Sequence, residues 1–201
     1  MNNEIVDIRK LKEALDSICT EEVHLKEIDQ IPLDDLIRLK TVVANVNNLI
    51  TKKLSEKFVE ALCELQLITK KELEKVKKEL LSSNVSTNGY DIIIEENKKI
   101  LAEIKANIPY GINQYGAKQK EEIEKDLNGL KTCKSTSKGI RLGEYIKFFV
   151  QLDAEGEKDG ICYDSKKAMQ RLTSKRDDIV YEFDSSTTFR NDTIYVMLIK
   201  A

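Results

Sequence analysis

The stretch that most constrains the fold is residues 89–105, which read GYDIIIEENKKILAEIK. Two apolar runs, at 92–94 and 100–104, flank a polar segment centred on Asn97. Such a pattern predicts two antiparallel strands joined by a turn. Because the runs are apolar on both faces, we expect the hairpin to lie inside a sheet that is covered on each side.

The position of the turn determines which residues face each other across this hairpin. With the turn centred on Asn97, Asp91 lies opposite Glu103, and directly opposed side chains have Cβ atoms about 5 Å apart. Lys105 falls on the same face as Glu103, because side chains alternate along a strand. Two carboxylates and a lysine are therefore expected to converge at one end of an otherwise apolar hairpin, which is costly to bury without a function.

Helical periodicity dominates the chain before the hairpin. It predicts a helix at 4–18, one long helix or two end to end at 33–67, and a basic helix from Thr69 to Leu81. A break in the long helix is expected near Asn45–Asn48 or Thr51, and Thr69 with Glu72 three residues later is typical of an N-cap.

Helices and strands alternate after the hairpin. Helices are predicted at 117–130 and 165–173, strands at 145–152, 179–183 and 193–199, and a loop at the acidic segment 153–160. This order indicates a mixed α/β (α+β) fold. We expect a helical N-terminal region at 1–50, as an arm or as part of the same domain, and an α/β core at 51–201.

The composition excludes several classes of protein. The 201 residues include 33 basic and 35 acidic side chains, so a nucleic-acid surface must be a local patch. The single histidine, His24, makes His-dependent triads and two-His zinc sites hard to build, and the four cysteines form no C-x-x-C pair. No apolar run approaches the roughly 18 to 20 residues that span a bilayer, so we expect a cytoplasmic protein without a membrane partner.

The sequence Gly89-Tyr90-Asp91, followed by Glu103-Ile104-Lys105, resembles the motif of the PD-(D/E)XK nuclease superfamily. Tyr90 stands where the superfamily's name has proline. The resemblance covers roughly residues 50–152 and includes the order of the flanking helices and strands. It implies a restriction-endonuclease-like core, in which helices flank a central sheet.

The resemblance implies phosphodiester hydrolysis, which the acids and the lysine of the hairpin suit. That reaction needs charge neutralisation on the phosphate, a deprotonated water and a stabilised leaving oxygen. Asp91 and Glu103 offer the hard oxygen ligands that Mg²⁺ prefers. Lys105 can orient or help deprotonate the attacking water and counter the charge on the phosphate.

The same resemblance implies further site residues and an activity. The Ile104 carbonyl occupies the position of a backbone metal ligand, Glu56 (or Glu60, one helical turn later) that of an acid on the preceding helix, and Gln119 that of a polar residue on the following helix. The implied activity is that of a Mg²⁺-dependent endodeoxyribonuclease. It is most similar to a type II restriction endonuclease, with DNA as substrate and a homodimer as its assembly.

Basic residues in two later segments are candidates for contacts with DNA phosphates. A solvated charged face is the alternative for the first of these segments. The candidates are Lys131, Lys134, Lys138 and Arg141 in the first, and Lys166, Lys167, Arg171, Lys175 and Arg176 in the second.

Two other functions remain open at this stage. One is a non-catalytic DNA- or protein-binding module on the same fold, in which the acids serve structure. The other is an all-helical adaptor that carries the 89–105 hairpin as a decoration.

Overall fold

The computed structural model describes residues 33–82, 89–109, 112–134, 139–158 and 161–200. The helix predicted at 4–18 and the candidate Lys138 lie outside these residues. The chain divides into two compact units between Thr51 and Lys52. No helix in the described part of the chain is long and apolar enough to cross a membrane.

Two helices precede the sheet. Helix α1 runs from Leu33 to Glu64 without the predicted break, since this stretch contains no proline or glycine. In the first unit, α1 leaves the side chains of Leu33, Ile37 and Val43 exposed. Helix α2 is Lys70–Ser82. Its capping box is confirmed, because Thr69 and Glu72 exchange side-chain-to-backbone hydrogen bonds of 3.3 and 2.7 Å.

The second unit is built on a five-stranded mixed sheet. The strands are β1 Ile92–Ile94, β2 Ile100–Lys105, β3 Ile146–Asp153, β6 Ile179–Val180 and β7 Ile194–Lys200, and helix α3 is Ala117–Thr132. Their order across the sheet is β1-β2-β3-β7-β6. Strand β1 is antiparallel to β2, and the other neighbours are parallel. Parallel neighbours need a crossover connection, and helix α3 provides it between β2 and β3.

The sheet separates two apolar layers. On one face Leu101 and Phe149 pack with Ile123, Leu127 and Leu130 of α3. On the other face Phe148 is the centre of an aromatic cluster, which includes Phe58 of α1 with ring centroids 5.3 Å apart. The remaining rings of that cluster are Phe183, Phe189 and Tyr195. The mixed α/β class and the doubly covered hairpin are thus confirmed, and the all-helical alternative is wrong.

One prediction for the chain after β3 is wrong. Residues 153–160, expected as a loop, contribute strand β4 (Glu155–Lys158), which pairs with β5 (Ile161–Asp164) in a separate two-stranded sheet. The alternation of apolar and polar residues that identifies strands is missing from the sequence of this segment. Its first two residues, Glu155 and Gly156, are exposed in the structure. A 3₁₀ turn at Leu142–Glu144 leads into β3, and helix α4 is Ser165–Leu172.

Candidate functional site

The hairpin has the predicted register. Ile92 pairs with Ala102, Ile93 with Leu101 and Ile94 with Ile100. One step beyond the first of these pairs, Asp91 faces Glu103. Both side chains lie on the face that α3 covers, since Ile93 and Leu101 pack there.

Asp91 ends the pairing of β1 with β2. Its Oδ2 accepts a hydrogen bond of 2.7 Å from the Ile104 N–H, which has no partner on β1 because that strand begins at Ile92. In an extended strand the N–H and the carbonyl of one residue point to the same side. The Ile104 carbonyl therefore points toward the same edge of β2 as Asp91. Burial raises the pKa of Asp91 above its usual value.

Glu103 is the most perturbed acid of the site. It is 2% exposed, and its Oε1 lies 2.6 Å from Nζ of Lys134. Burial, and then the neighbouring charge of Asp91, raise the pKa of Glu103 from 4.5 to about 8. Asp91 and Glu103 thus form an opposed pair of acids in which burial disfavours the ionised form of both.

A third acid, Asp126 of α3, joins the cluster. Its two oxygens lie 2.5 Å from Nζ of Lys105 and 2.8 Å from Nζ of Lys134. Burial opposes ionisation, but the hydrogen bonds from these two lysines outweigh it and lower the pKa of Asp126. Burial disfavours the charged form of Lys134, but its hydrogen bonds to Asp126 and Glu103 outweigh this effect and raise the pKa of Lys134. We call Asp91, Glu103, Lys105, Asp126 and Lys134 the acid–lysine cluster.

Sequence reasoning missed Asp126, although a signal for it exists. Asp126 follows Ile123 by three residues, so it lies on the same face of α3 as Leu127 and Leu130. An acid at a position otherwise occupied by apolar residues needs a buried partner. The surrounding acids and lysines of this helix concealed that pattern.

Lys134 was predicted to contact DNA, but the structure places it inside the cluster. Its stem crosses Gly129 so closely that a Cβ there would lie 2.9 Å from Lys134 Cγ and Cε. The Tyr90 hydroxyl accepts a 3.3 Å hydrogen bond from the Lys134 N–H and donates one of 2.8 Å to the Gly129 carbonyl. The ammonium lies 5.4 Å from the centre of the Tyr90 ring. Tyr90 therefore helps to hold Lys134 against the two acids.

Two residues implied by the family resemblance lie elsewhere. Glu56 pairs with Lys53 within α1, and α1 packs through Phe58 on the sheet face opposite Glu103. Its alternative, Glu60, pairs with Lys77 of α2. The Gln119 side chain accepts from the Gly116 N–H at 3.2 Å, which caps the start of α3. The third acid near Asp91 and Glu103 is therefore Asp126, and not Glu56.

The remaining DNA-binding candidates differ in their surroundings. Several form ion pairs, namely Lys131 with Asp178 at 3.2 Å, Lys167 with Asp164 at 3.0 Å, Arg141 with Glu144 at 3.6 Å and Arg176 with Asp178 at 2.8 Å. Arg176 also lines a cavity beside α3, together with Arg171 and Lys175. Lys166 is exposed on α4 and does not line that cavity.

The oxygen atoms of Asp91, Glu103 and the Ile104 carbonyl fit Mg²⁺ only in part. Among the described residues, no group of three or more histidine, cysteine, aspartate or glutamate side chains is arranged to hold a metal ion. Mg²⁺, however, usually keeps several waters and takes only one or two protein carboxylates. Asp91 and Glu103 supply these, and the Ile104 carbonyl points to the same edge. The fit requires that the Lys134 ammonium give up its contact with Glu103.

A cleft lies beside the cluster. It has a volume of about 720 Å³, and Asp126 and Lys134 form part of its wall together with Gly89 and Gly129. Asp91, Glu103 and Lys105 do not line this cleft. No protein-family model matches this chain, and no curated protein or solved structure matches it significantly.

Proposed function

We propose that the protein is a Mg²⁺-dependent endodeoxyribonuclease with a restriction-endonuclease-like core in residues 51–201. The observation that carries the proposal is the buried, opposed pair Asp91 and Glu103, whose pKa values are raised chiefly by burial. A divalent cation bound between them would supply charge neutralisation at a phosphate. A lysine on the same strand as Glu103 and a neighbouring cleft, lined by Asp126 and Lys134, also support the proposal.

The residues of the cluster have separate roles in this proposal. Asp91, Glu103 and the Ile104 carbonyl would hold the ion. Lys105 would orient the attacking water and counter phosphate charge. Asp126 keeps Lys105 in place through the 2.5 Å ion pair. Lys134 contacts Glu103 at 2.6 Å and would have to give up that contact for the ion.

The choice of substrate and assembly follows the resemblance to type II restriction endonucleases. Double-stranded DNA with two-fold symmetric sites is cut by enzymes with two active sites, so the proposal includes a homodimer. It also includes a cytoplasmic location.

A cleavage assay tests the activity. Wild-type protein with Mg²⁺ should nick or linearise a plasmid of mixed sequence, and EDTA should abolish the reaction. Asp91→Asn, Glu103→Gln and Lys105→Met should each reduce the rate by at least about a hundredfold, as expected for general acid–base or metal-binding residues. Glu182→Gln, which alters an exposed carboxylate outside the cluster, is the matched control and should cut at the wild-type rate.

Two results would refute the activity. One is wild-type protein that leaves the plasmid intact with either Mg²⁺ or Mn²⁺. The other is Asp91→Asn protein that cuts as fast as wild type.

A specific observation favours a second candidate, a non-catalytic DNA- or protein-binding module. Asp91 already caps the Ile104 N–H, and both lysines pair with the acids of the cluster, as in a purely structural ion network. Calorimetric titration with Mg²⁺ separates the two candidates. The nuclease proposal expects binding to wild type and a loss of affinity in Glu103→Gln, whereas the module expects no difference between them.

A further inference from the structure

A second cavity lies beside α3. It has a volume of about 530 Å³, within the range of roughly 300 to 1,000 Å³ that small-ligand pockets occupy. Its wall comes from α3, from α4 and from the loops 113–115 and 174–176. Glu124 and Asn128 line both this cavity and the cleft of the acid–lysine cluster, so the two openings adjoin.

The lining of this cavity is strongly basic. Lys120, Arg171, Lys175 and Arg176 contribute positive charge, and Glu124 is its one acid. Arg171 and Lys175 are exposed, and the described residues include no ion-pair partner for either. Such unpaired cations on the rim of a cavity suit an anion, and the planar guanidinium of Arg171 suits a phosphate.

Arg176 links the loop that carries Lys175 to helix α3 through hydrogen bonds. It forms hydrogen bonds of 3.0 and 2.8 Å to the two oxygens of Asp178 and donates one of 3.0 Å to Asn128 Oδ1. Because Asn128 accepts through its oxygen, its amide nitrogen is left to donate to a ligand. The cavity thus combines a hydrogen-bond donor on Asn128 with the positive charges of Arg171 and Lys175.

Part of the cavity wall is apolar and includes one aromatic residue. Leu127, Ala168 and Leu172 line it together with Tyr115, whose hydroxyl is buried. Tyr115 therefore lines the cavity through atoms other than its hydroxyl oxygen. Inorganic phosphate makes no favourable contact with apolar or aromatic groups. A nucleobase, in contrast, stacks on aromatic rings and presents hydrogen-bond acceptors at its edge. Asn113, Gln114 and Ser174 add further polar groups.

We propose that this cavity binds a nucleoside phosphate, with the base against Tyr115 and Asn128 and the phosphate on Arg171 and Lys175. The ligand is either a free nucleotide or an unpaired nucleotide of a DNA strand. In the second case the strand continues toward the adjoining cleft, and this placement rests on the proposed nuclease function. Binding of the nucleotide itself does not depend on that function.

Equilibrium binding measured in EDTA tests the proposal without cleavage. The probes are the four deoxynucleoside monophosphates, a deoxynucleoside, inorganic phosphate, and a 12-nucleotide DNA in single-stranded and duplex form. We expect nucleotides to bind more tightly than either the nucleoside or phosphate, and single-stranded DNA to bind more tightly than duplex. A free nucleotide that outcompetes single-stranded DNA identifies the free ligand as the source, and the reverse order identifies the strand.

Variants locate the binding to this cavity. Arg171→Ala and Lys175→Ala should each weaken nucleotide binding about tenfold, the effect of one charge-assisted hydrogen bond. Lys166→Ala, on the same helix but outside the cavity, should leave it unchanged. Tyr115→Leu should reduce the preference for nucleotide over phosphate, and circular dichroism and urea unfolding verify that this variant folds.

Three results would overturn the proposal. These are no binding of nucleotides or single-stranded DNA, equal affinity for inorganic phosphate and nucleotide, and equal loss of affinity in Lys166→Ala and Arg171→Ala. Failure of the nuclease proposal is distinguishable, because Glu103→Gln protein should bind nucleotides like wild type. A wild type that binds nucleotides but never cuts DNA refutes only the nuclease activity.

Discussion

Replacing Glu103 with glutamine should remove much of the pH dependence of stability between pH 5 and pH 8. The carboxylate is 2% exposed, faces Asp91 and has a pKa raised from 4.5 to about 8. Glutamine has the shape of the protonated acid but carries no charge at any pH. The variant therefore measures the free energy of ionising Glu103 in its buried position.

The sign of the effect follows from proton binding. Because the folded state holds the proton more tightly than the unfolded state, the stabilising contribution is fully present below about pH 4.5. It is lost as the pH rises toward 8. Each pKa unit corresponds to about 1.4 kcal/mol, so the full shift is worth on the order of 4 to 5 kcal/mol. Glu103→Gln and wild type should thus be similarly stable near pH 5, and the variant more stable by several kcal/mol at pH 8.

Urea unfolding, monitored by circular dichroism at half-unit intervals from pH 5 to pH 8.5, measures the difference in stability between the variant and wild type. Glu182→Gln provides the control, because its exposed carboxylate should leave the wild-type pH profile unchanged. Under the nuclease proposal, saturating Mg²⁺ at pH 8 should also stabilise wild type but not Glu103→Gln. The reasoning is refuted if wild-type stability is flat across this range, or if both variants follow the same profile.

Three further predictions concern the residues that hold charged side chains in place. Gly129→Ala should destabilise the fold by about 1 to 3 kcal/mol, because the new Cβ displaces the Lys134 stem. This cost outweighs a gain of about 1 kcal/mol in helix propensity. Gly143→Ala is the control, because its Cβ meets nothing within 4 Å, and it should be nearly neutral in the same urea assay. Tyr90→Phe should cost about 1 to 2 kcal/mol in thermal or urea unfolding, since the hydroxyl bonds at 2.8 and 3.3 Å are lost. Asp178→Asn should lower stability at neutral pH by about 2 kcal/mol, because the Arg176 hydrogen bonds lower the pKa of Asp178 from 3.8 to about 2. This contribution is present above pH 3.8 and fades as the pH falls to 2, so unfolding curves for the variant and wild type should converge in acid, and a constant gap would contradict it.

The hairpin at the centre of the site was predictable because its geometry is local. The polar turn and the two apolar runs specify the register, and a one-residue slip would move every side chain to the other face. Asp91 and Glu103 are therefore opposed as expected, with Lys105 on the same face. Helix α2 and its cap at Thr69 were predictable for the same reason, since the capping box spans only four residues.

The partners of those residues were not predictable from local patterns. Glu56 satisfied the order of elements that the resemblance implies, but the sheet lies between α1 and Glu103. From the sequence, Lys134 was indistinguishable from the other cations of a basic loop, and only the structure shows that its side chain crosses Gly129 and contacts Glu103.

By itself, the sequence determined the elements of the five-stranded sheet, its flanking helices and the alternation of side chains along them, because these depend on interactions between residues close in the chain. The tertiary structure alone decided which charges meet. The crossover from β2 to β3 lays α3 over the face that carries Glu103, and this brings Asp126 and Lys134 to a carboxylate more than twenty residues earlier. Such contacts depend on how a helix packs on a sheet, and neither periodicity nor spacing specifies that packing.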